Sequence, residues 1–119
     1  MLRTVVLLHT LPDGSSHYDW MLEQPGQDPL ATFRCTASPH EAETWTAERL
    51  PDHRRIYLEY EGPVSRNRGD VRRVAAGIVL KVDLAAALPR ATCDFGNGVL
   101  HCEATQLKEA GFTFRARRD

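Results

Sequence analysis

Short runs of alternating apolar and polar residues, cut apart by Pro, Gly and Asn, constrain this chain more than any other feature. A period of two is the pattern of a strand with one face toward a core and the other away from it. SHYDWMLEQ (16–24), LATFRCT (30–36) and RIYLEYEG (55–62) show it directly, and LRTVVLLH (2–9) is a β-branched run. DVRRVAAGIVLKVD (70–83) reads as a longer strand with Gly77 at a bulge or bend. TCDF, VLHCEA and FTFRARR add three more strands, broken at GNG (96–98) and KEAG (108–111). Helical signals are confined to SPHEAETWTAER (38–49), where Ser38 and Glu41 make a capping box, and to DLAAAL (83–88), ended by Pro89. The pattern predicts a mainly β fold, a small antiparallel β-barrel or sandwich flanked by short helices.

At 119 residues the chain fits a single domain, 1–119, able to bury roughly two thirds of its unfolded surface. A net charge of −1 gives no global basic field, so a nucleic-acid surface has to be a local patch. No apolar run is long enough for a membrane helix, and MLRTVVLLHT lacks the small-residue cleavage pattern of a secretory signal. A cytoplasmic protein is expected. Cys35, Cys93 and Cys102 lack C-x-x-C spacing, which argues against a disulfide framework and a zinc ribbon and for reduced thiols. With Asn97-Gly98 as a two-residue turn, Cys93 would pair with Cys102 and Asp94 with His101. That reading leaves a redox or soft-metal pair beside the plainer alternative of two small buried side chains.

The first hairpin carries more chemistry. Pro12-Asp13-Gly14 makes a natural three-residue loop, a type I turn closed by a left-handed glycine. Pairing Leu11 with Ser15 then sets Thr10 against Ser16 and His9 against His17. Opposed side chains have Cβ atoms about 4.5 to 5.5 Å apart, and Asp19 lies one diagonal step away on the same face. Tyr18, Trp20 and Leu22 take the other face as core. Two imidazoles and one carboxylate are the donor set of an open divalent-metal site. They are equally the parts of a cross-strand histidine pair with a carboxylate as hydrogen-bonding partner.

A second group lies in LPDHRRIYLEYEG (50–62), where odd numbering sets His53 and Tyr57 opposite Ile56, Leu58 and Tyr60 on a regular strand. An imidazole and a phenol beside a metal suit a phosphoryl substrate, the phenol donating a hydrogen bond and the imidazole protonating a leaving alkoxide. Taken alone, a turn histidine and a core tyrosine are the commoner explanation for residues of these types.

The run H-Y-D-x-x-L-E at 17–23, with His9 upstream, and the run D-H-x-x-x-Y-x-x-x-E-G at 52–62 resemble the 3′-phosphoesterase domain of bacterial DNA ligase D, the enzyme of non-homologous end joining. The similarity runs through most of the chain in order, resting on strand pattern after residue 65. It implies a compact β-barrel that removes 3′-phosphates and 3′-ribonucleosides from nucleic-acid ends in DNA repair, with Mn2+ or another divalent ion such as Zn2+. It further implies that His9, His17 and Asp19 bind the metal and that His53 and Tyr57 engage the phosphate. The implied partners are nucleic-acid 3′ ends and an end-joining ligase or polymerase, whose modules are absent from this chain.

The chain also departs from that pattern. The resembling enzymes carry an arginine where this chain has Met21 and a glutamine where it has Leu7. Their phosphate-binding lysine falls near Cys35, and a further arginine near Trp45. Methionine cannot clamp phosphate as a guanidinium does. Arg54, Arg55, Arg66, Arg68, Arg72 and Arg73 are available as replacements, or form a solvated basic loop balanced by the acidic residues nearby. Two functions stand side by side, a metal-dependent phosphoesterase and a non-catalytic metal-binding descendant that holds nucleic-acid ends or a protein partner.

Overall fold

Alternation becomes strands, and the strands close on themselves. The computed structural model describes residues 1–108 and 111–119, so the KEAG break falls partly outside the described residues. Its strands are β1 (Leu2–Thr10), β2 (Ser16–Gln24), β3 (Gln27–Cys35), β4 (Thr44–His53), β5 (Gly62–Pro63), β6 (Asp70–Asp83), β7 (Arg90–Asp94), β8 (Val99–Lys108) and β9 (Gly111–Arg118). Sheet order is β1-β2-β3-β4-β9-β8-β7-β6-β5, and β1 also pairs with β6, which closes an eight-stranded antiparallel barrel with β5 as a short extra strand. Closure leaves the barrel strands no long free edge.

The interior is filled by one side of each strand. Trp20, Phe33, Trp45 and Phe114 pack there, with ring centroids of Trp20 at 5.7, 6.0 and 5.7 Å from the other three. Trp20 Nε1 donates to Thr4 Oγ1 at 3.0 Å and Thr4 Oγ1 donates to the Met21 carbonyl at 2.8 Å, so the indole's polar end is satisfied inside the barrel.

A second apolar cluster lies on the outer face of β1, β2 and β3. Val5, Leu7, Met21 and Leu30 are covered by Leu58 and Val71, with Tyr57, Tyr60 and Val64 packed against them. Apart from Val71, which is on β6, the cover is the segment 54–69. A buried carboxylate pins it: Glu23 takes Arg55 Nη1 at 2.5 Å and the Arg3 backbone N–H at 2.6 Å.

Three secondary-structure expectations are corrected. The 38–49 helix is absent: the capping residues make a single turn, with Glu41 and Ala42 N–H on the Ser38 carbonyl, and Thr44 onward is β4. Trp45 and Ala47 are buried while Thr46 and Glu48 are exposed, a period of two that overrides the cap. DLAAAL is a string of bends in which Asp83 Oδ1 holds the Ala86 N–H at 3.2 Å, six residues being too few to nucleate a helix. RIYLEYEG is no strand; Arg55–Leu58 form a 3₁₀ turn that pushes Leu58 onto the outer cluster and leaves Ile56 exposed. Short flanking helices thus reduce to that one turn among the described residues.

The second hairpin is looser than expected. Asp94 pairs with Val99 and Cys93 with Leu100, giving a four-residue loop instead of a two-residue one, so Cys93 and Cys102 are not opposed. Asp94 Oδ1 takes the Gly96 N–H at 2.7 Å, and Gly96 and Gly98 both have positive φ, which widens the turn. Gly77 marks no bulge. A Cβ there would lie 2.1 Å from the Asp94 carbonyl oxygen, so it is a close crossing, while the register shifts of β6 fall beside Val74 and Leu80. All three cysteines are free and buried. No helix among the described residues is long and apolar enough to cross a membrane.

Candidate metal and phosphate site

The β1–β2 hairpin has the register its turn dictates: His9 opposes His17, Thr10 opposes Ser16 and Leu7 opposes Asp19. Leu11 N–H donates to the Ser15 carbonyl at 2.8 Å and Gly14 has φ +88°, the geometry of the three-residue loop. On the outer face Asp19, 3% exposed, stands between the two imidazoles. His9 Nδ1 is 3.2 Å from Asp19 Oδ2 and His17 Nε2 is 3.0 Å from Asp19 Oδ1. One ligand atom from each of the three side chains lies within 4.8 Å of the others.

His9 Nε2 is 2.7 Å from the Arg68 carbonyl oxygen, which can only accept, so Nε2 carries the hydrogen. A neutral His9 therefore turns the Nδ1 lone pair toward a carboxylate oxygen, acceptor against acceptor. The 3.0 Å approach of His17 to Asp19 likewise lacks hydrogen-bond alignment, leaving Asp19 Oδ1 and His17 Nδ1 as buried polar atoms without a partner. The orphaned Asp19 Oδ1, with His17 Nε2 and His9 Nδ1 turned toward the same carboxylate, fits a cation among them, and the backbone carbonyl behind His9 is the outer support that a metal-ligating imidazole requires. Burial pushes the His17 imidazole below its ordinary value, with Arg34 and His9 adding to the effect against the pull of Asp19. That favours the neutral, ligating form.

Next to the cluster opens a cleft of about 520 Å³ lined by His9, Asp19, Met21, His53, Tyr57 and Arg66, with Arg54 and Arg68 also on its wall. Size does not single it out, since a groove of about 500 Å³ lies beside Lys81, Arg90 and His101. Its chemistry does. His53, the last residue of β4, donates Nδ1–H to the Pro51 carbonyl at 2.8 Å, which leaves Nε2 for a ligand. The 3₁₀ turn carries Tyr57 to a ring-centroid distance of 5.8 Å from His53. Two sequence motifs about forty residues apart thus meet in one cleft, while His17 closes the metal group from the neighbouring groove beside Arg34.

Met21, 1% exposed, and Leu7 belong to the outer apolar cluster, whereas Cys35 and Trp45 point into the barrel. Among the arginines, Arg55 is held by Glu23, and Arg73 Nη1 donates to the Leu58 carbonyl at 3.3 Å. Sequence reasoning missed Arg34, the direct cross-strand partner of Asp19 on β3. Parity carried the signal: in the β2–β3 hairpin the even-numbered residues of β3 share the face of Asp19.

No protein-family model matches the chain, and no curated protein matches it. Fold and site together define a small closed β-barrel whose outer face bears a His9–His17–Asp19 group that could hold a metal ion.

Proposed function

We propose that the chain is a Mn2+-dependent phosphoesterase acting on 3′ ends of nucleic acid, removing a 3′-phosphate or 3′-ribonucleoside. The observation that carries this reading is the meeting of the His9–His17–Asp19 group with His53 and Tyr57 in one cationic cleft. The resemblance of the two motifs to the ligase D phosphoesterase domain names the substrate class. A divalent ion held by the three ligands would polarise a phosphoryl oxygen. Tyr57 donates a hydrogen bond from its hydroxyl to a second phosphoryl oxygen, where negative charge grows as the bond to the sugar breaks. Hydrolysis forms one P–O bond from water, breaks the P–O bond to the 3′ oxygen and needs a proton on that oxygen. His53, anchored through Nδ1–H, delivers that proton from Nε2 as the imidazolium, and the proton given up by the attacking water restores it.

The test is release of inorganic phosphate from a 3′-phosphorylated oligonucleotide by the purified chain. Release is expected with Mn2+, to vanish with chelator, and to drop about 100-fold or more in His53→Ala. A protein that binds Mn2+ and releases nothing refutes the reading.

One observation favours a non-catalytic descendant that holds nucleic-acid ends or a protein partner. Met21 and Leu7 are buried apolar residues where the resembling enzymes carry an arginine and a glutamine. Met21→Arg separates the readings. Activity gained from nothing marks the descendant, and no gain over an active wild type marks an enzyme that grips phosphate from elsewhere.

A further inference from the structure

SRNRGDVRR contains a cationic loop that the metal cluster does not use up. Residues 64–69 turn tightly between β5 and β6, with Val64 N–H donating to the Gly69 carbonyl at 2.8 Å. The two central residues, Arg66 and Asn67, have φ of +62° and +54°, a left-handed conformation that side chains adopt only when the surroundings hold it. Gly69 supplies the hold. A Cβ there would lie 2.0 Å from the Thr10 carbonyl oxygen, so glycine alone lets the loop rest against the end of β1. Seated in this way, the loop places the Arg68 carbonyl 2.7 Å from His9 Nε2.

The three arginines that line the cleft are unequal. Arg68 spends its guanidinium on Ser65, donating from Nε to the carbonyl at 2.8 Å and from Nη2 to Oγ at 3.1 Å. Arg66 and Arg54 border the same cleft and have no side-chain ion pair or hydrogen bond among the described residues. Two unengaged guanidinium groups beside a metal group and a phenol match a dianionic phosphate, which each can bind with paired N–H donors.

We propose, resting on the phosphoryl reading above, that the 64–69 loop is an anion-binding arm. Arg66, with Arg54, takes the terminal phosphate, and the Arg68 carbonyl of the same loop keeps His9 in the tautomer that turns Nδ1 to the metal. The phosphate is gripped from the loop, opposite in origin to the β2 position held by Met21.

The whole chain is titrated with Mn2+ alone, and with inorganic phosphate in the presence and absence of Mn2+. Arg66→Asn, a residue that tolerates left-handed backbone, is expected to weaken phosphate binding about 10-fold or more and leave Mn2+ affinity unchanged, with Arg54→Gln weakening phosphate in the same direction. Gly69→Ala is expected to weaken Mn2+ binding about 10- to 100-fold by displacing the support of His9. The arm is overturned if wild type binds no phosphate, if Arg66→Asn binds it as wild type does, or if a folded Gly69→Ala keeps its Mn2+ affinity. Where Gly69→Ala does not fold, nitrogen-15 spectra of the metal-free wild type decide that part: a hydrogen on His9 Nε2 supports it and one on Nδ1 overturns it. A wild type that binds no Mn2+ but loses phosphate on Arg66→Asn overturns the phosphoesterase reading and upholds the arm's grip on phosphate.

Discussion

The two faces of β2 are both buried and do opposite work. Toward the barrel axis Trp20 and Leu22 sit among side chains from seven other strands, while toward the outside Asp19, Met21 and Glu23 lie under one segment, 54–69. The inner face is sealed by pairings distant in sequence, the outer face by one turn and one loop pinned through Glu23–Arg55. A face closed by the whole barrel can only hold the fold together. A face closed by one segment keeps a cleft at its edge, and there the chain places its imidazoles, carboxylate and phenol.

The sharpest way to break this contrast is to delete the anchor of the inner face. Trp20→Ala should destabilise the protein by about 3–5 kcal/mol in denaturant unfolding, because the lost indole leaves a cavity ringed by Phe33, Trp45 and Phe114 and removes the donor to Thr4. Asp19→Asn, one residue away on the outer face, should act the other way round. Mn2+ affinity should fall at least about 100-fold by calorimetry. Metal-free Asp19→Asn should melt no lower than metal-free wild type, since the amide replaces a buried carboxylate that faces lone pairs with a group that can donate to one of them. Equal stability loss at the two positions would erase the contrast.

Met21→Arg falls between these extremes. Its side chain is in the outer apolar cluster and also borders the cleft, so a guanidinium can bury its stem and reach water at the tip. A cost of about 2 kcal/mol is expected in denaturant unfolding, less than for a charge placed inside the barrel. A cost near that of Trp20→Ala would mean that the outer face is as tightly sealed as the inner one.

How much of this was legible in the sequence follows from which contacts are local. The β1–β2 register, and with it the meeting of His9, His17 and Asp19, was readable because Pro12-Asp13-Gly14 leaves the chain one way to turn. GNG did not carry the same force: Asp94 caps the Gly96 N–H and lengthens the loop, so the cysteine pairing read from it was wrong. Ser38 and Glu41 match a helix start in sequence, but the Ser38 hydroxyl pairs with His40 and only one turn forms, because Trp45 and Ala47 gain more from the barrel interior than a short helix could offer. His53 and Tyr57 were readable as residues but not as geometry, since the alternation of Ile56, Leu58 and Tyr60 mimics a strand while the segment caps the outer face as a 3₁₀ turn. Arg34 was within reach of the parity of the β2–β3 hairpin, whereas the Arg68 carbonyl depends on loop placement, which no local pattern reports.

The smallest effect belongs to the inner face and concerns its thiols. Burial pushes Cys93 up to about 12 and raises Cys35 and Cys102 as well, whereas an unfolded thiol ionises near about 8.5. A folded value above the unfolded one contributes stability that is fully present below about pH 8.5 and is lost as pH rises toward 12. The stability difference between wild type and Cys93→Ala should therefore shrink from pH 8 to pH 10, as seen by denaturant unfolding under reducing conditions. Alkylation of all three cysteines should be slow in the folded protein at pH 8 and fast in denaturant, because the barrel has to open before a thiolate can form. Rapid labelling of the folded chain at Cys93 would show that the inner face, too, opens locally, and would remove the distinction between a face that only holds the fold and one that exposes chemistry.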